Sequence, residues 1–190
     1  DDSRYLAVAH EDRSEAVYEV ASGTAVKSWN KDQFDDVRVE FAQSGELLAS
    51  IYNGSVTFRT TENFDIMREI KYASRFYDFA AEPAGKLAAM GTRKGVVLID
   101  TGTFEQTTLS IQDPDQRSRS NRVEHVAFSA NNDLLAAAGR SLRIWNTRSK
   151  RVVLTIEGVS KIEFLAFNAQ GDKLIAVERS EPAPGVEIYV

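Results

Sequence analysis

Apolar and polar positions along this chain come in short bursts. Between Asn121 and Ile156 four apolar runs, Val123 to Phe128, Leu134 to Ala138, Leu142 to Trp145 and Arg151 to Ile156, are separated by Ser-Ala-Asn-Asn-Asp, Gly-Arg-Ser and Thr-Arg-Ser-Lys. Runs of four to six residues bounded by turn formers predict strands, and four strands joined by tight turns make an antiparallel meander.

The same unit recurs on both sides. Before it, Tyr5 to His10, Ala16 to Val20 and Thr24 to Trp29 read as strands two, three and four of a unit whose first strand is missing. A complete unit follows in Val37 to Ala42, Glu46 to Tyr52, Ser55 to Thr60 and Asp65 to Ile70. Ser55 to Ile70 overlays Ser141 to Ile156 without a gap, apolar on apolar at Val56, Phe58, Ile66 and Ile70. The third unit is Arg75 to Ala81, Lys86 to Gly91, Val96 to Asp100 and Glu105 to Ile111, and the insert Gln112 to Asn121 delays the fourth. The fifth supplies Ile162 to Phe167, Lys173 to Glu178 and Val186 to Val190, without an outermost strand. A period of about 40 residues with four strands each marks a radial repeat, in which each meander must stack on its neighbours to bury its faces. The fold class expected is therefore all-β, a β-propeller with blades at 1–30 (partial), 36–70, 75–111, 122–157 and 161–190 (partial), taken as one domain over 1–190.

Two stretches, AFSANNDLLAAAGRSLRIWNTRSKRVV and AFNAQGDKLIAVE, resemble WD40 repeats. In that family an apolar first strand ends in Phe-Ser-Pro-Asp-Gly, a small-residue second strand follows, and Ile-Trp-Asp closes the third. Ile144-Trp145-Asn146 takes that last place here, with Tyr18-Glu19, Ile99-Asp100 and Tyr189-Val190 at the same position elsewhere. The Gly-His pair that normally precedes strand one is absent, and Asn53, Arg93-Lys94, Arg140 and Arg179 stand where the family's buried Asp would be. The resemblance thus implies degenerate blades joined mainly by apolar packing. The two partial units lack different strands, so the ends cannot complete one sheet. The expectation is an arc of three whole and two partial blades from a ring of seven or more, finished by residues outside these 190, by a second chain, or left open.

Composition changes this picture little. The 190 residues are 43% hydrophobic and 27% charged, with a net charge of -5, an ordinary globular mix. No apolar run is long enough to span a bilayer as a helix, so a soluble protein is expected. The absence of cysteine excludes disulfides, zinc-thiolate sites and cysteine nucleophiles. It fits a cytoplasmic setting and leaves the periplasm and secretion open. The chain begins at Asp1 without an apolar leader segment, although one could have been removed.

Propeller topology places the links between blades and the turns between strands two and three on one face. That face carries Lys71, Arg75, Arg93, Lys94, Arg117, Arg119, Arg122, Arg140, Lys161 and Arg179 from units three to five, with Arg75, Arg122 and Lys161 at equivalent entries to strand one. In units one and two it carries Glu11, Asp12, Glu15, Asp32, Asp35 and Asp36. The binding positions expected are Arg75, Arg93, Lys94, Arg122, Arg140, Lys161 and Arg179, and the ligand an acidic or phosphorylated protein segment, since Arg offers paired donors to carboxylate and phosphate. A plainer account is that exposed loops are simply polar and the two halves neutralise one another. Nucleic acid fits poorly, because no aromatic residues interleave with the cations as a stacking platform requires.

Other candidates have simpler explanations. The insert Gln112 to Asn121 reads as a surface insertion, with Asp113 and Asp115 too few for a calcium loop. His125 sits among apolar residues and His10 at a turn, neither with a partner at metal-ligand spacing. Asn53-Gly54-Ser55 matches a glycosylation acceptor, but Asn-Gly between strands is also a favoured hairpin turn. Trp145, Phe58, Phe41, Phe79, Phe128 and Phe167 recur with the repeat and read as inter-blade core. The reading reached is a non-enzymatic interaction module without cofactor or metal. The alternative is a hydrolase- or lactonase-like propeller, which would need Asp, Glu and His converging where Asp36, Arg75, Arg122 and Lys161 stand.

Overall fold

The computed structural model describes the chain except residues 1–3, 13, 31–37, 53, 73–74, 84, 111–121, 160, 180–184 and 190. The described strands form five antiparallel sheets, each a meander in sequence order. They fall into two compact units, Asp1–Arg75 and Phe76–Val190. The first unit holds a three-stranded sheet of β1 (Tyr5–Ala9), β2 (Ser14–Glu19) and β3 (Ala25–Asn30), and a four-stranded sheet of β4 (Arg38–Ala42), β5 (Leu47–Tyr52), β6 (Ser55–Thr60) and β7 (Ile66–Lys71). The second holds β8 (Phe76–Ala81), β9 (Leu87–Thr92), β10 (Gly95–Asp100) and β11 (Gln106–Ser110), then β12 (His125–Phe128), β13 (Leu134–Ala138), β14 (Ser141–Asn146) and β15 (Val152–Glu157), then β16 (Ile162–Phe167), β17 (Leu174–Glu178) and β18 (Gly185–Tyr189).

The strands begin and end within two residues of the apolar runs, because a short apolar run bounded by turn formers is a local feature of the chain, and the inner strands of the sheets, covered on both faces, are buried almost throughout. The insert 112–121 and Asn53 lie outside the described residues. The turn between third and fourth strands repeats one backbone solution, a left-handed residue at Gly23, Phe64, Phe104 and Lys150 with φ of 65, 61, 60 and 57°. In three of the sheets the outer strand then carries one extra residue, Val26, Met67 or Val153, bulged out of the ladder.

Neighbouring side chains of a strand enter different layers. In the second unit Phe128, Leu135, Ala137 and Trp145 of the fourth sheet pack on Ala89, Val96, Leu98 and Leu109 of the third. Ala127, Ala136, Leu142 and Ile144 point the other way, onto Ile162, Leu165, Leu174 and Ala176 of the fifth. Trp145, Phe58, Phe79 and Phe128 are buried, and Phe41 and Phe167 pack against the core from its edge, as core residues should.

The first unit has a smaller apolar cluster, centred on Val17, Leu48 and Phe64. Beside it lies a polar set that the sequence pattern did not reveal. Glu15, expected on the acidic loop face, is instead in β2 and only 1% exposed, because its alternation with Val17 points it into the layer against β5. Its carboxylate accepts a 2.6 Å hydrogen bond from Ser50 Oγ. Buried Arg59 stacks its guanidinium 4.7 Å from the ring centre of Trp29.

Candidate interaction face

The site is built where the link into the fourth sheet crosses the ends of two strands. Val123 N–H donates to Thr92 O at 2.9 Å, and Glu124 N–H donates to Ala138 O at 2.8 Å. This crossing needs glycine at both strand ends. A Cβ on Gly91 would stand 2.7 Å from Val123 O, and one on Gly139 would stand 2.1 Å from Arg122 O, closer than real atoms approach. The two glycines, at the ends of the second strands, let the link lie flat against the turns that follow them.

Those turns carry the cations. Thr92 Oγ1 donates to Gly95 O at 2.8 Å and accepts from Lys94 N–H at 3.2 Å, so Arg93 and Lys94 project from a braced turn. Gly139 N–H donates to Ser141 O at 3.1 Å, which closes the turn that exposes Arg140. Arg122 lies between them, its guanidinium 4.3 Å from the ring centre of Tyr77 and paired with Glu124. The fold therefore gathers Arg93, Lys94, Arg122 and Arg140 about one backbone crossing. Glu124 is the carboxylate inside it, and Glu157, across from Ser141, marks the rim with its carboxylate 4.0 Å from Arg143.

The other expected positions behave differently. Arg179 N–H donates to Lys161 O at 3.0 Å, which brings that pair together as a second group. It is balanced, with Arg179 3.5 Å from Glu163 and Glu178 directly across from Ile162. Arg75 is exposed at the end of the first unit, and Lys71 stands 3.6 Å from Glu69. Arg117, Arg119, Asp32, Asp35 and Asp36 lie outside the described residues. Asp12 is exposed, and its carboxyl is held below the usual range by hydrogen bonds from Ser14 Oγ and Ser14 N–H.

His125 faces Asp78, whose carboxylate lies 3.9 Å from its Nδ1. The same carboxylate oxygen accepts Val126 N–H at 2.9 Å, so Asp78 ties β8 to the neighbouring first strand β12. Among the described residues no group of three or more His, Asp or Glu could hold a metal ion.

Sequence reasoning missed Tyr77 and Glu124, which orient Arg122. The repeated Arg122-Val-Glu124 and Lys161-Ile-Glu163 triplets were the available signal, each placing a carboxylate two residues beyond a basic entry position.

No protein-family model matches the sequence, and no curated protein matches it either. Among solved structures the chain is similar to the β-propeller domain of Cps50 (Swd1) from Myceliophteria thermophila, with a TM-score of 0.79 and 13% identity, over 97% of this chain and 67% of that one. At that identity the likeness establishes the fold alone, a β-propeller, over nearly the whole chain.

Proposed function

We propose that the chain is a non-catalytic interaction module of WD40 type, which captures an acidic or phosphorylated protein segment on the loop face of its second unit. One observation carries the reading. Arg93, Lys94, Arg122 and Arg140 come from three separate points in the sequence and are gathered by the crossing of Val123 over Thr92 and of Arg122 over Gly139. A surface that was polar only for solubility would have no need of that convergence, nor of an Arg stacked on Tyr77 and oriented by Glu124. Arg presents paired N–H donors to carboxylate and phosphate, so a preset Arg122 flanked by Arg93, Lys94 and Arg140 suits a phosphorylated side chain within an acidic stretch. The second group, Lys161 and Arg179, extends the face but adds little charge, because Glu163 and Glu178 offset it.

The test is fluorescence anisotropy with labelled phosphoserine and polyglutamate peptides. Binding should weaken steeply with salt, and Arg93→Glu, Arg122→Glu and Arg140→Glu together should weaken it by about tenfold or more. Circular dichroism would confirm that the variant folds. Peptide binding indifferent to these three reversals would remove the proposal. The pair Lys161→Glu and Arg179→Glu should have a smaller effect.

A further inference from the structure

Within the loop face Arg122 is already engaged. Glu124 Oε1 lies 2.5 Å from Arg122 Nη2, and the ring of Tyr77 covers one flat face of the guanidinium, 4.3 Å from its centre. Hydrogen bonds to a guanidinium run in its plane, along its edges. Two edges offer paired N–H donors, Nε with Nη2 and Nη1 with Nη2, so Nη2 belongs to both. A carboxylate seated on Nη2 therefore obstructs either. The backbone keeps it there: Val123 N–H donates to Thr92 O and Glu124 N–H to Ala138 O, so the link that carries both side chains is fixed. Two residues apart on a pinned link, the carboxylate meets the guanidinium at an effective concentration on the order of millimolar.

We propose that Glu124 is an internal competitor that regulates the loop face: its carboxylate holds the place of the ligand's anion on Arg122 and must leave before a phosphorylated segment is gripped by paired donors. The inference rests on the reading of Arg122, with Arg93, Lys94 and Arg140, as the binding group. A single carboxylate replaces Glu124 with its equal and gains little from Arg122. A phosphate brings about two negative charges and three acceptor oxygens to the same donors, and so drives the exchange. The fifth sheet repeats the arrangement on a different cation. Glu163 stands two residues beyond Lys161 as Glu124 does beyond Arg122, and its carboxylate lies 3.5 Å from Arg179 Nη1. The side chains of Arg179 and Glu163 are 66 and 52% exposed, against 48 and 32% for Arg122 and Glu124, so water screens the second contact more and its competition is weaker.

Glu124→Gln removes the charge and keeps the shape. Its circular dichroism spectrum should match that of the unaltered chain, and it should bind the labelled phosphoserine peptide more tightly. The same replacement made together with Arg122→Ala relieves only the general repulsion between Glu124 and the phosphate. The gain with Arg122 present should exceed the gain without it by about fivefold, which is the release of Arg122 itself. Glu163→Gln should raise affinity by about twofold at most. Equal gains in the two backgrounds would mean charge alone and would overturn the proposal. A Glu124→Gln chain that binds no tighter would overturn it as well and make Glu124 a support for Arg122; the reading of the face would survive, because it is tested by the unaltered chain and its three reversals to Glu. Peptide binding that emerges only in Glu124→Gln would support the proposal, and binding absent from both chains would remove it together with that reading.

Discussion

The same seam between two sheets is built twice in this molecule, once from apolar residues and once with charges. In the second unit Ala89, Leu98, Leu109, Val126, Phe128 and Leu135 surround Val96, Ala137 and Trp145. In the first unit the strand pairings set Ala7, Val17, Trp29, Val39, Phe41 and Leu48 at the matching places. The three central positions there hold Glu15, Ser50 and Arg59. Register alone assigns them: Glu15 lies across from Trp29 as Val96 lies across from Leu109, and Arg59 lies across from Leu48 as Trp145 lies across from Leu135. The seam geometry therefore tolerates either chemistry, provided that a buried charge finds its complement. Burial pulls the Arg59 guanidinium below its usual pKa, and the nearby Glu15 charge pulls it back, with Trp29 covering its flat face. Buried charge of this kind adds less stability than well-packed carbon and penalises any wrong pairing more.

Trp145→Ala should break the apolar seam most severely, costing about 3–5 kcal/mol as a large cavity opens beneath a residue only 2% exposed. Urea denaturation would measure it, and a loss under about 1 kcal/mol would mean that the seam collapses to fill the space. In the charged seam, Glu15→Ala should cost about 3 kcal/mol by leaving Arg59 buried without its complement and Ser50 without its acceptor. Exchanging all three residues for their counterparts, Glu15→Val with Ser50→Ala and Arg59→Trp, should instead be neutral or raise stability by about 1–2 kcal/mol. If the triple variant proved as unstable as the single one, the two seams would differ in shape as well as in chemistry.

The smallest expected effect concerns a buried carboxylate of the second unit that sits at a turn and not in a seam. Glu82, 5% exposed, accepts Leu87 N–H at 3.0 Å, and burial raises its pKa above 4.5. A raised acid favours the protonated form in the folded chain. Its contribution is therefore complete below 4.5 and is lost as pH climbs through the folded value. Between about pH 4 and pH 7 the unaltered chain should lose stability relative to Glu82→Gln, read from denaturant midpoints across that range. Parallel curves would show that Glu82 does not titrate differently on folding.

Much of this was legible in the residues. Strand positions followed from short apolar runs bounded by turn formers, and the gapless overlay of Ser55 to Ile70 on Ser141 to Ile156 anticipated that both segments form the same pair of strands. That overlay also set Arg59 on Trp145, the one clue to the charged seam. The basic positions of the candidate site were legible as residue types. Their grouping was not, because Arg122 could have lain against any nearby turn until Gly91 and Gly139 showed which two it crosses. Glu15 was misread as a loop residue because it follows a polar stretch, and only its pairing in β2 turned it inward.

By itself the sequence determined the strands, their turns and the roughly forty-residue repeat, since each depends on residues a few positions apart. Tertiary structure decided which faces meet: Ser50 reaches Glu15 from 35 residues away, and Asp78 reaches Val126 from 48. Contacts of that range follow from how whole sheets stack, so their chemistry becomes visible only once the layers are in place.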